Sequence, residues 1–378
     1  MPNQPNIYLD NNATTRIDER VLEAMLPYFT DLYANSTSQH IAGLTVNEAV
    51  ENAAWQTAGL INADAEEIIF TSGATEAINL AIKGLVNQDR KHIITLVTEH
   101  KAVLETCDFM KSNGFEISYL PVNPDGLLDL NLLNESITDK TLVFIAMLSN
   151  NETGVIQNVS EISEILKSKN VLFMCDATQA VGKITVDVKT LGIDLLTLSA
   201  HKFYGPKGIG ALYVSAKARL KLLPQISGGG QQRKLRSGTL NVPGIIGLGK
   251  ASEIALNELE RNKKNIKILR DKLENSLLQF EGSFVNGNVE NRIYNTSNIC
   301  FPCVNSEKLI MALGNILVSN GASCSSVTSE ASHVLKAMGL SDEKALSSIR
   351  FSLGRFNTLE EIDIAVEKVL DLAKKLKV

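Results

Sequence analysis

Ser199-Ala200-His201-Lys202 follows directly on the apolar run 195–198 and leads into Tyr204-Gly205-Pro206-Lys207-Gly208. In open α/β sheets, ligands bind outside the carboxyl ends of the strands. An amine held there with part of its hydration removed can form a Schiff base with a carbonyl compound. For Lys202 taken alone, a solvated surface lysine is the competing reading. Asp176-Ala177-Thr178-Gln179 comes after the run 170–175, one βαβ-like step before Lys202. A carboxylate at that edge can keep a pyridine nitrogen protonated, because an opposite charge within reach raises the nitrogen's pKa; otherwise Asp176 is a helix N-cap. Ser72-Gly73-Ala74-Thr75-Glu76 stands between a strand-like 67–71 and an amphipathic stretch. Small residues opening a helix let backbone N–H groups and a hydroxyl approach a phosphate, although the same residues also fit a capping box. Thr98-Glu99-His100 closes the run 92–97, and its imidazole can lie on an aromatic ring and exchange protons above it; alone, it reads equally as structural.

Together these four strand exits supply a Schiff-base lysine, a partner for a ring nitrogen, a ring cover and a phosphate cradle. Those are the needs of pyridoxal 5'-phosphate, which acts as an electron sink when its ring nitrogen is charged.

The elements that position these groups are short apolar runs alternating with amphipathic stretches, the pattern of α/β layers around a largely parallel sheet. Strands are expected at 67–71, 92–97, 141–147, 170–175, 194–199 and 210–214. Ala77, Ile78, Ala81, Ile82 and Leu85 share one face of the helix after the first of these. Leu256, Leu259, Ile266, Leu269, Leu273, Leu277 and Phe280 keep helical spacing across Arg261-Asn262-Lys263-Lys264, which predicts a long helix leading into a smaller domain. Thr358-Leu359-Glu360-Glu361 is a capping box opening a terminal helix with Ile362, Val366, Val369 and Leu372 or Ala373 on one face.

Composition narrows the function. The 378 residues carry 37 Lys and Arg against 42 Asp and Glu, a net charge of −5, with no basic block suited to nucleic acid or a membrane surface. No apolar stretch approaches the length of a membrane span, and Met1-Pro2-Asn3-Gln4-Pro5 has no secretory pattern. A cytoplasmic protein is expected. Cys107, Cys175, Cys300, Cys303 and Cys324 are scattered, as reduced thiols are. Cys300-Phe301-Pro302-Cys303 matches C-x-x-C, but no second pair accompanies it, and 298–304 reads as a strand interrupted by proline.

The sequence resembles the cysteine desulfurases, a branch of the class V aminotransferases within the fold-type I pyridoxal-phosphate enzymes. The resemblance runs end to end. It rests on Tyr8-Leu9-Asp10-Asn11-Asn12-Ala13-Thr14-Thr15, Thr71-Ser72-Gly73-Ala74-Thr75-Glu76, Thr98-Glu99-His100-Lys101, Asn150-Asn151-Glu152-Thr153-Gly154, Asp176-Ala177-Thr178-Gln179, Ser199-Ala200-His201-Lys202 and Arg236-Ser237-Gly238-Thr239. It implies an α/β fold with a mostly parallel seven-stranded sheet in a large domain, 15–255. A smaller α+β domain would be built from 1–14 and 256–378. It further implies that Lys202 carries the cofactor, Asp176 faces the ring nitrogen and Gln179 reaches the phenolic oxygen. Ser199, His201, Ala74 and Thr75 would hold the phosphate, and Thr239 would close that site across a homodimer interface.

Ser319-Asn320-Gly321-Ala322-Ser323-Cys324-Ser325-Ser326 is similar to the family's cysteine loop. A Gly/Ser-rich polar loop buries a side chain poorly, so the Cys324 thiol is expected to be accessible, a nucleophile that collects sulfur and delivers it outside. No metal is expected in the desulfurase role, although Cys324 could transiently ligate an iron–sulfur cluster. The other four cysteines are expected in helix or strand. Arg350 matches the family's clamp on the substrate α-carboxylate, where a planar guanidinium suits two oxygens, with Asn151 assisting; Arg355 is left a structural or surface role. The family usually has prolines after the positions of Asn35 and Glu330, where Ser36 and Ala331 stand here. The implied activity converts L-cysteine to L-alanine, with His100 as proton shuttle and a sulfur-acceptor protein, such as an iron–sulfur scaffold, as partner. Rival readings are a selenocysteine lyase, a class V transaminase or a non-catalytic sulfur carrier or scaffold. A nicotinamide enzyme fits poorly, because Gly205, Gly208 and Gly210 precede a strand and lack the G-x-G-x-x-G spacing.

Overall fold

Strands covered on both faces read as continuous apolar runs, and most strands of the main sheet do so here. In the computed structural model, which describes residues 6–321 and 330–377, the strands in chain order are β1 (Ile7–Tyr8), β2 (Ile68–Thr71), β3 (His92–Leu96), β4 (Glu116–Leu120), β5 (Thr141–Met147), β6 (Leu172–Asp176), β7 (Leu195–Ser199), β8 (Gly210–Val214), β9 (Phe284–Val285), β10 (Thr296–Cys300), β11 (Ile316–Leu317) and β12 (Ser348–Ser352). Seven form the main sheet in the order β2-β8-β7-β6-β5-β3-β4. Only β8 runs antiparallel to its neighbours, so the sheet is mostly parallel, as expected. Edge strand β4 escapes the apolar-run criterion because, of its five residues, only Leu120 is buried.

Period-two alternation sorts the strand side chains between two apolar layers. Along β5, Val143 and Ile145 pack with Leu172, Met174, Leu195 and Leu212, whereas Phe144 and Ala146 pack with Phe173, Leu196 and Leu198. Since β2, β3, β5, β6 and β7 share one direction, their carboxyl ends open on a single edge. Antiparallel β8 brings its first residue, Gly210, to the same edge, opposite Ser199 and Thr71. A Cβ on Gly210 would stand 2.5 Å from the Leu198 carbonyl oxygen and 2.8 Å from Gly73 Cα. The bare backbone lets the turn at Gly73, with φ of 153°, lie across the sheet edge.

A separate three-stranded antiparallel sheet, β12-β10-β9, and the parallel pair β1-β11 surround another apolar cluster that includes Leu9, Ile299, Phe351, Ile362 and Val369. The helix Val242–Leu277 runs between cores: Ile245, Leu248 and Ile254 pack with the main sheet, and Ile266, Leu273 and Leu277 with this second cluster. Leu256, expected on the buried stripe of that helix, is 51% exposed. The terminal helix Leu359–Leu376 begins at the Thr358–Glu361 capping box and buries Ile362, Val369 and Ala373. The strand anticipated over 298–304 ends at Cys300. Cys303 lies beyond it in a turn at φ of 63°, exposed, contrary to the expected strand position.

Replacing Gly210 by alanine forces the Gly73 turn away from the strand ends. The variant should lose about 1–3 kcal/mol of stability in urea unfolding; a loss below roughly 0.5 kcal/mol would show that the turn yields freely.

Candidate active site

A cavity of about 680 Å³ lies at the carboxyl edge of the main sheet. Its walls bring together Ala74, Thr75, His100, Asn151, Asp176, Gln179, Ser199, His201, Lys202 and Arg350, drawn from five strand exits and from β12. Thr239 does not join them. It is exposed on its own chain beside a smaller hollow formed by Tyr28, Tyr33, Ser36 and Val242. Cys324 lies outside the described residues, but Ser319 and Gly321 of the segment leading to it line the cavity.

Lys202 ends the single 3-10 turn that follows β7. Its Nζ donates to the backbone oxygens of Asn12 at 2.7 Å and Ala13 at 2.8 Å. Burial, reinforced by the Arg350 charge, pushes its pKa down to about 8, with Asp10 and Asp176 pulling the other way. Near neutral pH part of this amine is therefore unprotonated and nucleophilic. It is not a solvated surface lysine.

Asp176 is the last residue of β6 and is buried. Its Oδ1 accepts from the Thr178 N–H at 3.0 Å, the Thr178 hydroxyl at 2.5 Å and the Thr197 hydroxyl at 3.1 Å. All three bonds fall on one oxygen, which leaves Oδ2 for whatever enters the cavity. No helix starts at Asp176, so the N-cap reading fails.

His100 caps the helix Lys101–Ser112, its Nδ1 accepting the Ala102 N–H at 3.1 Å. The neutral ring must then carry its proton on Nε2. Burial lowers its pKa, with Asp176 opposing and Lys202 adding to the shift. His201 Nδ1 stands 3.1 Å from the Thr14 hydroxyl, and burial together with Lys202, Lys207 and Lys183 pushes its pKa down to about 4. The ring is therefore neutral at pH 7.

The helix Ala74–Lys83 has Gly73 at its N-cap and no side-chain capping bond, so the capping-box reading also fails. The Glu76 carboxylate instead takes the Ser72 N–H at 2.7 Å and the Arg236 guanidinium at 2.8 Å. Burial would raise this carboxyl, but Arg236 and Ser72 hold it below its ordinary range. The helix thus opens on the cavity with its first N–H groups uncapped by any side chain.

Arg350 bonds Asp10 at 2.6 Å through Nη2 and the Asn151 backbone oxygen at 3.0 Å through Nη1. Its buried Nε has no partner among the described residues. Arg350 lines the cavity, and a guanidinium there suits an incoming carboxylate. Arg355 faces elsewhere: it pairs with Asp18 and lies 3.9 Å over the Tyr204 ring, a buried structural role and not a surface one.

Three participants escape sequence reasoning. Asp10 pairs with the clamp. Asn12, 2% exposed, bonds through its side chain to Asn151, Thr296, Lys183 and Asn295, and through its backbone oxygen to Gln179 and Lys202. Lys183 is buried behind Gln179. Asp10 and Asn12 belong to the 8–15 segment that carried the resemblance, which was the available signal; nothing in the pattern distinguished Lys183.

This donor set fits pyridoxal phosphate: an amine of lowered pKa, a carboxylate oxygen left open, and an uncapped helix start beside Ser199 and His201. A model of the aminotransferase class-V family matches residues 7–364. The chain belongs to the class V aminotransferase family. Within it, the chain is 48% identical over 369 residues to the cysteine desulfurase IscS of Colwellia psychrerythraea, covering 96% of this chain and 91% of that protein. It is 46% identical over 376 residues to the cysteine desulfurase IscS of Rickettsia africae, covering 98% and 92%. A solved NifS-like protein matches with a TM-score of 0.92 at 38% identity, covering 98% of this chain and all of that one. SspA in complex with cysteine matches with a TM-score of 0.83 at 35% identity, covering 93% and 100%. The fold class expected from the sequence is that of these class V relatives. Among the described residues no helix is long and apolar enough to cross a membrane.

The lowered Lys202 pKa sets a sign for stability against pH. Above about pH 8 the folded chain has given up a proton that the unfolded chain keeps to about pH 10, so the Lys202 contribution rises with pH. In cofactor-free protein, the unfolding free energy of wild type relative to Lys202→Met should rise by about 1–2 kcal/mol between roughly pH 7 and pH 9.5. A flat difference would contradict the assigned environment.

Proposed function

We propose that this chain is a pyridoxal-phosphate-dependent cysteine desulfurase. In this reading it converts L-cysteine to L-alanine and passes the sulfur, as a persulfide on Cys324, to an acceptor protein in iron–sulfur cluster or other sulfur-cofactor biosynthesis. What carries the reading is the convergence of Lys202, Asp176 and Arg350 on one cavity whose wall includes the segment running into Cys324. The kinship with proteins named cysteine desulfurase supports the same branch.

When bound, pyridoxal phosphate supplies an electron sink for the substrate Cα. Asp176 Oδ2 holds the proton on the ring nitrogen. The open start of the Ala74–Lys83 helix, with Thr75, Ser199 and His201, holds the phosphate. Arg350 offers its guanidinium to the substrate carboxylate, while Asp10 and the Asn151 carbonyl fix the guanidinium plane. Lys202, once free as an amine, takes the Cα proton, and His100 moves a proton at the substrate sulfur. At Cys324 the thiolate forms an S–S bond as the substrate C–S bond breaks. The electron pair stays with carbon, which takes up a proton. The sum is L-cysteine plus enzyme thiol giving L-alanine plus enzyme persulfide.

Thr239, exposed on its own chain, serves the phosphate site of a second copy in a homodimer. Residues 15–255 form the cofactor unit in this reading, and 1–14 with 256–378 the unit bearing the clamp and the cysteine loop. The reducing cytoplasm keeps the five thiols available.

Lys202→Ala should abolish both the yellow colour of the cofactor-loaded protein and its turnover. Cys324→Ser should keep the colour and lose sulfur transfer from L-cysteine. Alanine formation should need no added keto acid, in contrast to a transaminase. Sulfur release by Cys324→Ser at the parental rate would refute the assignment of the carrier.

A further inference from the structure

Lys183 is a buried amine to which the reading above gives no task. It is 6% exposed. Its Nζ donates to Gln179 Oε1 at 2.8 Å and, more weakly, to Asn12 Oδ1 at 3.4 Å. Both acceptors are neutral amide oxygens, and among the described residues no carboxylate bonds to it. Burial, with Lys202 and Arg350 adding to it, pushes its pKa down to about 7. A methionine would fill the same space without the penalty of a desolvated charge.

An ammonium can only donate hydrogen bonds, whereas a glutamine amide can turn either end toward a neighbour. While Lys183 is protonated, the Gln179 amide facing it is satisfied in one orientation alone, with Oε1 toward Nζ. Its Nε2 then donates to the Asn12 backbone oxygen at 2.9 Å and keeps a second N–H, on a side chain that lines the cavity. The reversed amide would set an NH₂ group against the ammonium and a carbonyl against the Asn12 oxygen. Each of those mismatches would leave a buried polar group without a partner. The same Asn12 oxygen takes the Lys202 ammonium at 2.7 Å, so Lys183, Gln179, Asn12 and Lys202 form one hydrogen-bonded chain.

We propose that Lys183 is a positioning residue that fixes and polarises the Gln179 amide so that an N–H donor is presented to the phenolic oxygen of the cofactor. The inference rests on the pyridoxal-phosphate reading of the cavity. A cation on the oxygen of an amide strengthens the N–H groups at its other end. A stronger donor at the phenolic oxygen draws electron density from it and lowers the pH at which the bound cofactor changes colour.

The test is a pH titration of the visible absorbance of the cofactor-loaded protein, followed in wild type, Lys183→Met, Lys183→Arg, Gln179→Leu and the Lys183→Met, Gln179→Leu double variant. Lys183→Met should raise the midpoint by about one pH unit, a tenfold change in proton affinity. Lys183→Arg, still a pure donor, should leave it near the wild-type value. Adding Lys183→Met to Gln179→Leu should move the midpoint by less than half as much as it does in wild type, the non-additivity of groups acting in series. An unmoved midpoint in Lys183→Met, or an equal shift with and without Gln179, would overturn the proposal. Should Lys183→Met fail to fold, Lys183→Arg decides: a retained midpoint supports the proposal and a displaced one overturns it. A wild type that takes up pyridoxal phosphate with no visible band would sink the cofactor reading itself, and this inference with it.

Discussion

Two main-chain carbonyls, of Asn12 and Ala13, hold the Lys202 ammonium where water reaches it only in part. Much of the surrounding structure serves that contact. The carbonyls lie on an N-terminal segment that is itself tied down. The Asn11 N–H bonds the Ser352 backbone oxygen, and the Asn12 N–H bonds the Ser352 hydroxyl. The Asn12 side chain spends its remaining hydrogen-bonding capacity on four neighbours from three other parts of the chain. Burial and the Arg350 charge, against these carbonyls, let the amine surrender its proton at lower pH than a free lysine.

The charges around the amine follow one logic. Lys202, Lys183 and Arg350 are mutually repulsive and poorly hydrated, and the pKa of each lysine is lowered in part by the charge of another member of the set. Asp10 and Asp176 oppose them from two sides, one bound to the clamp and one aimed at the cavity through a single open oxygen. A cavity of this kind attracts an anionic phosphate and a carboxylate while keeping an amine reactive. The helix start at Gly73 adds partial positive charge from backbone N–H groups, and it reaches the sheet edge because Gly210 has no side chain.

Much of this was legible in the sequence because parallel strands end where ligands bind. Runs that read as buried strands therefore also announced the positions of His100, Asp176 and Lys202. Thr141–Met147 and Gly210–Val214 were readable to the residue, since they are buried on both faces and read as apolar runs. Edge strand β4 was not readable, because its exposure breaks the apolar run. Leu256 misled, since spacing reports a helix face but not which stretch of a 36-residue helix is covered. Asp10, Asn12 and Lys183 owe their roles to contacts across the chain, such as Asp10 with Arg350, which local pattern does not encode. Arg350 and Arg355 lie close in sequence, yet one faces the cavity and the other the Tyr204 ring.

Reduction of the cofactor-loaded protein with borohydride, followed by digestion and mass spectrometry, tests the central claim most directly, because it freezes the cofactor onto whichever amine holds it. The account predicts a pyridoxyl group on the peptide containing Lys202 and on no other lysine. A label on Lys183 or Lys207, or no covalent label at all, would contradict it.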